Sequence, residues 1–594
     1  MNKYRSLFPA LLLALCIVVL SACNRVPDHA KYIPKDAVAV GSVDMKQLGK
    51  KIMWNAVTGS KLFKKMQEKA GQAGQQKAID PEATGVDLTS TMFVYAEHGN
   101  DPYSRVVYLT KVKDATKLEG YLKENFKVTA VNDNQQYKSA MLSNNTVAGW
   151  NNDVLMVVMM SAADSMVTLP PMSQLSDDDT TQPTTDIATD STASDNYFDN
   201  ALDSAVTYLQ RPVPAEALNS ALSRAFTLKS DSSILAIPQF KDLLKAGHDM
   251  TFWINPNTLY NQLGENTAMI PGLSLTTHFK DLYSGGGINF EKGKINVEFT
   301  YYVNDKLKSL YEAFGKENID MDMLERLPNK HADMILAYKL NFDAVKKTLQ
   351  EFNLDGLVNL GLASQGFSTD EVLKAFKGDV VISISDFASK QTEIDLSDST
   401  TYTHVTPDMK VLVAANVGDK KAIEKMFSKF GGESLTQRSG GYYQLGTDSS
   451  ANVFLNDHYM IFSSERSYTE AYLKPNSKDE LPELVRAHFK GHPSGMYVDL
   501  SNFFKYLLAD PYQSQKPAIT TLSQNLDKIV GWGGAFQNKK MTYNAEMLFK
   551  NKEENSLIIL LSLADQISEQ WEQDSDDDTA EALEAAVPAN QPQQ

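Results

Sequence analysis

The sequence is poor in cysteine, and this scarcity limits the chemistry that it can support. Cys16 and Cys23 are the two cysteines among 594 residues. We expect Cys16 to be removed with an N-terminal signal, so that Cys23 is the one thiol of the mature chain. A single thiol excludes an internal disulfide and any zinc or iron–sulfur site built from cysteines. A cysteine nucleophile is excluded as well, because the one remaining thiol is the predicted site of lipidation.

Motifs of the common enzyme classes are missing as well. The chain has no G-x-S-x-G nucleophile elbow. Its nine histidines are scattered. His488 and His492 have the spacing of a helical metal pair, but Gly491 lies between them and Pro493 follows, so a helix should end there. We therefore expect no metal, no cofactor and no enzymatic activity.

Two glycine-rich stretches, "SGGGINF" and "GWGGAF", are the remaining candidates for a ligand-binding loop. A phosphate-binding loop requires a helix after the glycines and a Lys, Ser or Thr at fixed spacing. In both stretches β-type sequence follows instead. We interpret Gly285–Gly287 and the glycines Gly531, Gly533 and Gly534 as turn or bulge residues that lead into strands.

Basic residues are the second shortage. The chain carries 57 Lys and Arg against 74 Asp and Glu, a formal charge of −17. Segments 164–203 and 574–594 contain 15 of the acidic residues and no Lys or Arg. Without these segments and without the two basic residues of the signal, the chain has 59 acidic and 55 basic residues. This near-neutral remainder lacks the basic face of a nucleic-acid-binding protein. The acidic triplets at 177–179 and 576–578 lack the ligand spacing of a calcium loop and are predicted to be solvated.

Long apolar runs are scarce too, and the one near the N-terminus is short. Two basic residues precede the apolar stretch Leu7–Leu20, which is shorter than the about 20 residues that span a bilayer. This layout predicts an export signal over residues 1–22. The sequence "LSAC" at its end resembles the bacterial lipobox, which implies cleavage between Ala22 and Cys23 and lipidation of Cys23, with palmitate among the acyl chains. An ordinary secretory signal with cysteine at its cleavage site is the alternative.

An internal repeat is the most informative positive feature. "VVYLTKVKDATKLEGYL" from Val106 aligns with "VLVAANVGDKKAIEKMF" from Val411. In both copies a β-type run ends at an aspartate, Asp114 or Asp419, that can cap a helix, and apolar residues follow at helical spacing. Four further pairs align in the same order, starting at Ile33 and Asn329, Trp150 and Phe454, Met250 and Gly495, and Gly286 and Gly533.

These matches predict two homologous halves, 33–314 and 327–566, with a short connector at 315–326. The first copy is about 60 residues longer, and the Ser/Thr/Asp-rich segment lies at that place. Such a composition buries too little apolar surface to become ordered, so we expect a disordered insertion at about 169–228. A linker at 23–32 and an acidic disordered tail, 570–594, complete the predicted organisation.

Each half alternates strands with a capped helix and ends in a β-rich meander, such as "KINVEFTYYV" and "KMTYNAEMLF". Sequential strands joined by short turns favour an antiparallel sheet. The predicted fold class is therefore α+β: two tandemly duplicated halves, each a mainly antiparallel sheet with helices packed on one face.

The predicted loops contain a recurring Asp-(Ser/Thr) sequence. It resembles the O-glycosylation sequon of Bacteroidetes, in which Asp is followed by Ser or Thr and then by an aliphatic residue or Thr. The resemblance implies modification at six positions, Ser165, Thr180, Ser191, Ser204, Ser399 and Thr579. Chance occurrence in Asp/Ser/Thr-rich sequence is the alternative.

Three longer stretches, "YIPKDAVAVGSVDMKQLGKK", "LPNKHADMILAYKLNFDAV" and "FKGHPSGMYVDLSNFFKYL", together with the lipobox resemble the Bacteroidetes lipoproteins of domain-of-unknown-function family 4836. The resemblance covers essentially the whole mature chain and implies an envelope lipoprotein of a Gram-negative bacterium, but no activity. The linker "NRVPDH" lacks the run of acids that often follows the lipidated cysteine of surface-exposed lipoproteins in that phylum. An outer-membrane anchor that faces the periplasm is therefore expected.

The sequence thus predicts a non-enzymatic, lipid-anchored envelope protein that binds or scaffolds an unknown partner. One alternative is a periplasmic carrier of an apolar ligand such as a lipid, which requires a large cavity lined by Phe, Met and Leu. The other is a hydrolase with an unrecognised active site, which requires convergent polar groups with shifted pKa values in one pocket.

Overall fold

A computed structural model of the chain describes most of the residues that follow the predicted signal. The described ranges are 26–61, 63–64, 81–98, 101, 103–162, 213–257, 280–328, 332–395, 401–430, 435–446, 451–475, 481–510 and 517–568. The structure is mixed α+β, with 20 described strands in antiparallel sheet.

Internal contacts divide the chain into two compact units. The first unit is Met1–Gln47 with Gln67–Thr258, and the second unit is Leu48–Met66 with Leu259–Gln594. The predicted first half, 33–314, therefore extends too far, because its described residues 280–314 belong to the second unit. The reason is strand pairing: residues 294–302 pair with residues 540–548 along nine positions.

The first unit contains eight described strands. They are β1 (Ala39–Asp44), β2 (Thr91–His98), β3 (Tyr103–Lys111), β4 (Asn132–Asp133), β5 (Lys138–Ser143), β6 (Thr146–Trp150), β7 (Val154–Ala162) and β8 (Met250–Ile254). Two short helices, α1 (Met45–Lys51) and α2 (Trp54–Gly59), follow β1 in the chain, but α2 and the part of α1 from Leu48 onwards belong to the second unit. The longer helices are α3 (Ala115–Asn125), α4 (Ala215–Phe226) and α5 (Pro238–Lys245). The strands pair in the order β8-β1-β2-β3-β7-β6-β5-β4.

The second unit contains twelve described strands. They are β9 (Tyr283–Glu291), β10 (Lys294–Tyr302), β11 (Ala332–Lys339), β12 (Phe376–Asp395), β13 (Thr401–Val417), β14 (Leu435–Gln437), β15 (Tyr442–Leu445), β16 (Asn452–Leu455), β17 (Tyr459–Ser463), β18 (Ser494–Asp499), β19 (Leu526–Gln537) and β20 (Lys540–Phe549). They pair in the order β9-β10-β20-β19-β18-β11-β12-β13-β17-β16-β15-β14. The last eight strands in this order, from β18 to β14, repeat the strand order of the first unit. β18 takes the place of β8, β11 that of β1, and so on to β14 in the place of β4.

Helices of the second unit connect these strands. They are α6 (Lys308–Phe314), α7 (Met321–Glu325), α8 (Phe342–Glu351), α9 (Asp355–Ser364), α10 (Thr369–Ala375), α11 (Lys420–Phe430), α12 (Arg466–Leu473), α13 (Glu483–Phe489), α14 (Leu500–Ala509) and α15 (Pro517–Asn525). Residues 556–568 are also helical.

The predicted helix caps are confirmed in both units. Asp114 accepts hydrogen bonds from the backbone N–H groups of Thr116 and Lys117 at the start of α3. Asp419 accepts them from Lys421 and Ala422 at the start of α11. Such bonds satisfy amide groups that have no partner within the helix. The other paired Asp and Asn positions do the same in their own helices or turns, namely Asp44, Asn255, Asn341 and Asp499.

The apolar residues that follow each cap are buried, as their spacing predicts. In the first unit Leu118 and Leu122 of α3 join a cluster that includes Trp150, and the three side chains are almost fully buried. In the second unit Ile423 of α11 is buried beside the half-buried Phe427. The amphipathic helices are therefore held by tertiary packing of their apolar faces.

Two segments expected to be linkers are folded. Residues Asp28–Tyr32 form a 3-10 helix in which His29 and Ala30 are buried, so the predicted linker at 23–32 is too long. The predicted connector at 315–326 contains α7, and its residues Ile319, Met323 and Leu324 belong to the main apolar core of the second unit. Both segments are mostly polar in composition, so the sequence predicts linkers. Apolar side chains within each segment are nevertheless buried and hold it against the core.

The predicted disordered insertion at about 169–228 also extends too far. Its last part contains α4, whose residues Leu218, Ala221, Leu222 and Ala225 are buried. Leu222 lies against Gly149 on β6, where an added Cβ would come within 2.6 Å of the leucine side chain. The remaining part, up to residue 212, lies outside the described residues.

Candidate functional site

The residues predicted to be modified lie outside the described ranges. They are the cleavage and lipidation positions Ala22 and Cys23 and the six sequon residues Ser165, Thr180, Ser191, Ser204, Ser399 and Thr579. Cleavage, lipidation and glycosylation at these residues therefore stay predictions from the sequence.

The histidine pair at the end of α13 has a structural role. The helix ends at Phe489, as predicted, and Gly491 follows with φ at +85°. The imidazole of His488 stacks on the indole of Trp532, with ring centroids 4.0 Å apart. Burial and the neighbouring His488 lower the pKa of His492. Among the described residues, no group of three or more His, Cys, Asp or Glu could hold a metal ion.

Both glycine-rich stretches lie in strands. The prediction of turn or bulge residues is confirmed for Gly533 and Gly534 but is wrong for Gly285–Gly287 and Gly531, which lie inside strands at regular register. Gly285–Gly287 belong to β9. The second stretch forms β19, whose register against β20 shifts between Gly533 and Ala535. A Cβ at Gly533 would lie 2.4 Å from the carbonyl oxygen of Thr542, so this bulge requires glycine.

This bulge helps to form a tyrosine-lined recess on the sheet of the second unit. Tyr338 on β11 pairs with Ser494 on β18, Ser494 pairs with Gly533 on β19, and Gly533 pairs with Tyr543 on β20. Paired residues of antiparallel strands point to the same face. Two small residues therefore lie between two tyrosines, and this alternation of size leaves a depression in the sheet surface.

The recess has a volume of about 420 Å³. Tyr301 on β10 lies edge-on to Tyr543, with ring centroids 6.1 Å apart. Tyr301 and Tyr338 each expose 42% of their surface, so part of each residue can contact a ligand. The complete lining is Tyr301, Tyr311, Phe314, Tyr338, Lys339, Leu340, Pro493, Ser494, Gly534, Met541 and Tyr543.

The phenol group of Tyr543 is a hydrogen-bond donor at neutral pH. Burial, together with the nearby Tyr301, Tyr311 and Tyr338, raises the pKa of Tyr543 above its ordinary value. A phenol with a raised pKa stays protonated and can donate its O–H to a ligand acceptor. The recess therefore combines flat apolar rings with hydroxyl donors, a composition typical of ligand sites.

A larger, charged cleft of about 980 Å³ adjoins the recess at Lys339 and Leu340, which line both. Nζ of Lys339 lies 2.9 Å from Oδ2 of Asp379 and 3.3 Å from Oε2 of Glu317. Burial alone would lower the pKa of Lys339, but the hydrogen bonds and charges of both carboxylates outweigh it, and the pKa is raised. A lysine held as a cation is neither a general base nor a nucleophile near neutrality.

The first unit has a polar cleft of about 620 Å³ between α3 and the β4–β5 turn. Glu119 on its wall accepts hydrogen bonds from Lys123 at 2.6 Å and from Lys138 at 2.7 Å. These bonds lower the pKa of Glu119, so it stays ionised and paired. Glu119 is therefore paired with two lysines and is not a free general base.

The recess is not predictable from the sequence. Its tyrosines come from β10, α6, β11 and β20, which are far apart in the chain, and no short motif connects them. One signal was present: the two terminal meanders place aromatic residues at alternate positions, with Phe299 and Tyr301 in one and Tyr543 in the other. Alternation predicts a shared sheet face but not the small residues on the neighbouring strands.

Among the described residues, no helix is both long and apolar enough to cross a membrane.

Comparison with protein-family models finds no match, and comparison with curated proteins finds none either. A solved structure, titled "Structure of crystal form I of TP0453", is similar over 48% of this chain and 81% of its own, with 8% sequence identity and a TM-score of 0.20. At this TM-score the similarity supports no conclusion about fold or function.

Proposed function

We propose that this chain is a lipid-anchored protein of the bacterial envelope that binds a partner and has no catalytic activity of its own. The observation that supports the binding role is the tyrosine recess of the second unit, with its exposed rings and phenol donors. Tyrosine offers a large contact area with little loss of side-chain entropy and is enriched where proteins bind each other. The proposed partner is an envelope protein segment that inserts an apolar side chain and offers backbone carbonyls to the phenols.

The finer fold proposal is that the chain consists of two duplicated α+β halves, each with helices on one face of its sheet. The shared strand order of the two units supports it, as do the matched caps Asp114 and Asp419. The exposed recess residues Tyr301 and Tyr338 have no aromatic counterpart in the repeat, since Gly41 precedes the cap Asp44 where Tyr338 precedes Asn341. Binding is therefore assigned to the second unit.

The proposed anchor is the lipid on Cys23, with the protein on the periplasmic side of the outer membrane. The support is the lipobox-like "LSAC" and the resemblance to the lipoproteins of family 4836, which are features of the sequence. Mass spectrometry of the mature N-terminus tests it. An acylated Cys23 at the first position, lost in Cys23→Ala, is the expected result, whereas a cleaved chain without acyl groups indicates an ordinary secretory signal.

The two alternatives fit the described residues less well. A carrier of an apolar ligand requires an enclosed cavity lined by Phe, Met and Leu, but the cleft of about 980 Å³ carries charged residues on its wall, such as Lys339, Asp343 and Asp379. A hydrolase requires a group whose pKa approaches neutrality. In the charged cleft the pKa of Lys339 is shifted away from neutrality. The carboxyl groups of Glu97 and Asp333 have pKa values raised by burial, but neither residue lines one of the three clefts described above.

Affinity capture of the lipidated protein from its own envelope, followed by mass spectrometry of proteins and lipids, tests the proposed function. We expect a defined protein at near-equal amount that is lost in Tyr338→Ala and Tyr543→Ala. The control is Phe503→Ala, which removes an exposed aromatic residue of the same unit outside the recess. Stoichiometric lipid whose recovery depends on Tyr338 would instead favour the carrier and overturn the proposal.

A further inference from the structure

Helix α9 of the second unit is apolar but has no buried residue. Its sequence is DGLVNLGLAS, with Asp355 as its one charged residue. A helix that is apolar on all sides is normally buried in a protein core or in a membrane. In the described structure α9 contacts α8 and α10, yet each of its residues is exposed or half-buried.

Two leucines form the exposed face of α9. Leu357 exposes 65% and Leu360 exposes 70% of its surface, more than almost any other large apolar residue described. Their spacing of three residues places them side by side on one face of the helix. Val358 and Leu362 are half-buried. Water-facing leucines at this density indicate that something other than water covers the helix.

A third exposed apolar side chain is linked to α9 through Phe367. Phe430, at the end of α11, exposes 63% of its surface. Its ring stacks on Phe367, with centroids 5.2 Å apart. Phe367 follows α9 in the chain and is tied to it, because its backbone N–H donates to the carbonyl of Leu362. We call Leu357, Leu360 and Phe430 the apolar patch.

Exposed lysines lie on α8, which contacts α9, and on α11, which carries Phe430. Lys347 on α8 and Lys421 and Lys429 on α11 are exposed and have no acidic partner within the described ranges. Nζ of Lys425 lies 4.9 Å from the ring centre of Phe367, so a cation also sits beside the aromatic stack. Asp355, the one acid of α9, lies at its first residue, where the helix dipole favours a negative charge.

We propose that the apolar patch inserts into the interface of a lipid bilayer that contains anionic lipids. The leucines and Phe430 enter the boundary between headgroups and acyl chains, and the three unpaired lysines attract anionic headgroups. This combination favours a bilayer over a protein partner, because α9 offers an apolar surface with almost no polar group for specific hydrogen bonding. The inference does not depend on lipidation at Cys23.

The test uses the full chain with Cys16→Ser and Cys23→Ser and a polarity-sensitive fluorophore on Leu360→Cys. Vesicles of phosphatidylethanolamine and phosphatidylglycerol are added. The control position is Ser309→Cys, an exposed residue of α6 in the same unit. The N-terminal apolar run can bring every variant to the vesicles, so the comparison between the two label positions decides the result.

We expect a blue shift at residue 360 and none at residue 309. Replacing Lys347, Lys421 and Lys429 by Gln is expected to lower the apparent affinity for the vesicles about a hundredfold, measured as the lipid concentration at half of the full shift. An unchanged spectrum at 360, or equal shifts at both positions, would contradict insertion of the patch. A shift at 360 that grows with protein concentration without vesicles would indicate a second copy of the chain and also overturn the proposal.

Discussion

Lys339 and Asp379 lie directly opposite each other on β11 and β12, and their side chains form an ion pair of 2.9 Å. Asp379 exposes 4% of its side chain and Lys339 exposes 18%. The second carboxylate oxygen of Asp379 accepts the backbone N–H of Asp320, which precedes α7. One buried carboxylate thus joins β11, β12 and the predicted connector at 315–326.

Replacing Asp379 by Asn is expected to destabilise the second unit by roughly 2–4 kcal/mol. The charge of Lys339 would lose its buried partner, and such an uncompensated charge costs more than the pair gains. Chemical denaturation of the full chain, followed by hydrogen exchange of the amides of β11 and β12, measures the effect and assigns it to this unit.

Glu317→Gln is the matched control for this pair. Glu317 also contacts Lys339, at 3.3 Å, but exposes 56% of its side chain. Exposed ion pairs contribute about 0–1 kcal/mol. If both substitutions cost the same, the burial of Asp379 is not the cause and our account of the pair is wrong.

The repeated helix caps predict equal losses in the two units. Asp114→Ala and Asp419→Ala each remove two hydrogen bonds to backbone N–H groups at a helix start. Each should cost about 1 kcal/mol of unfolding free energy. Asp→Asn at the same positions keeps the acceptor oxygen and should cost little, just as the chain itself uses Asn341 as a cap. A large loss in the Asn variants would show that the charge, not the cap, stabilises these helices.

These caps show which part of the fold the sequence predicts well. A cap and the apolar residues after it lie within one short stretch, so local spacing predicts the start of α3 at Asp114 and the burial of Leu118. The antiparallel α+β class follows from the same local patterns. Sequence is less informative where a few apolar residues are scattered among polar ones, as at Met323 in α7, since burial there depends on distant partners.

The tyrosine recess could not be predicted for the same reason. Its shape depends on Ser494 and Gly533 lying between Tyr338 and Tyr543, which is a matter of register between distant strands. No pattern along the chain records that register. The exposure of α9 is equally invisible, because the leucines of DGLVNLGLAS would be predicted to lie in a core.

Gly495 on β18 is expected to tolerate no side chain. A Cβ there would lie 2.5 Å from the ring of Phe489, which is fully buried at the end of α13. A packed aromatic ring has little room to move, so Gly495→Ala should destabilise the protein by about 1–3 kcal/mol. Denaturant titration measures the change.

Gly361→Ala in α9 is the contrasting variant. No atom lies within 4 Å of the added Cβ. Alanine in a helix interior is about 0.5–1 kcal/mol more favourable than glycine, so this change should stabilise the protein. The two Gly→Ala substitutions are thus expected to change the free energy of unfolding in opposite directions. If both lower it or both raise it, the packing described at Phe489 is contradicted.

His29 makes the stability of the first unit depend on pH. Its Nε2 donates to the carbonyl oxygen of Thr91 at 2.7 Å, and its ring packs edge-on against Phe93. Burial lowers the pKa of His29 from its ordinary value of 6.5, although the bond to Thr91 and the charge of Asp28 act in the opposite direction. The folded protein therefore keeps this imidazole neutral at a pH where the unfolded chain already binds a proton.

This difference fixes the sign of the effect. As the pH falls below about 6.5 the unfolded state takes up a proton that the folded state does not, so the free energy of unfolding decreases until the lower pKa of folded His29 is reached. Thermal unfolding of the full chain between pH 8 and pH 5 should show this loss, and His29→Gln, whose amide can still donate to Thr91, should reduce it. His458→Gln is the control, since His458 is exposed. If His29→Gln has the same pH dependence as the unsubstituted chain, the buried imidazole is not its source.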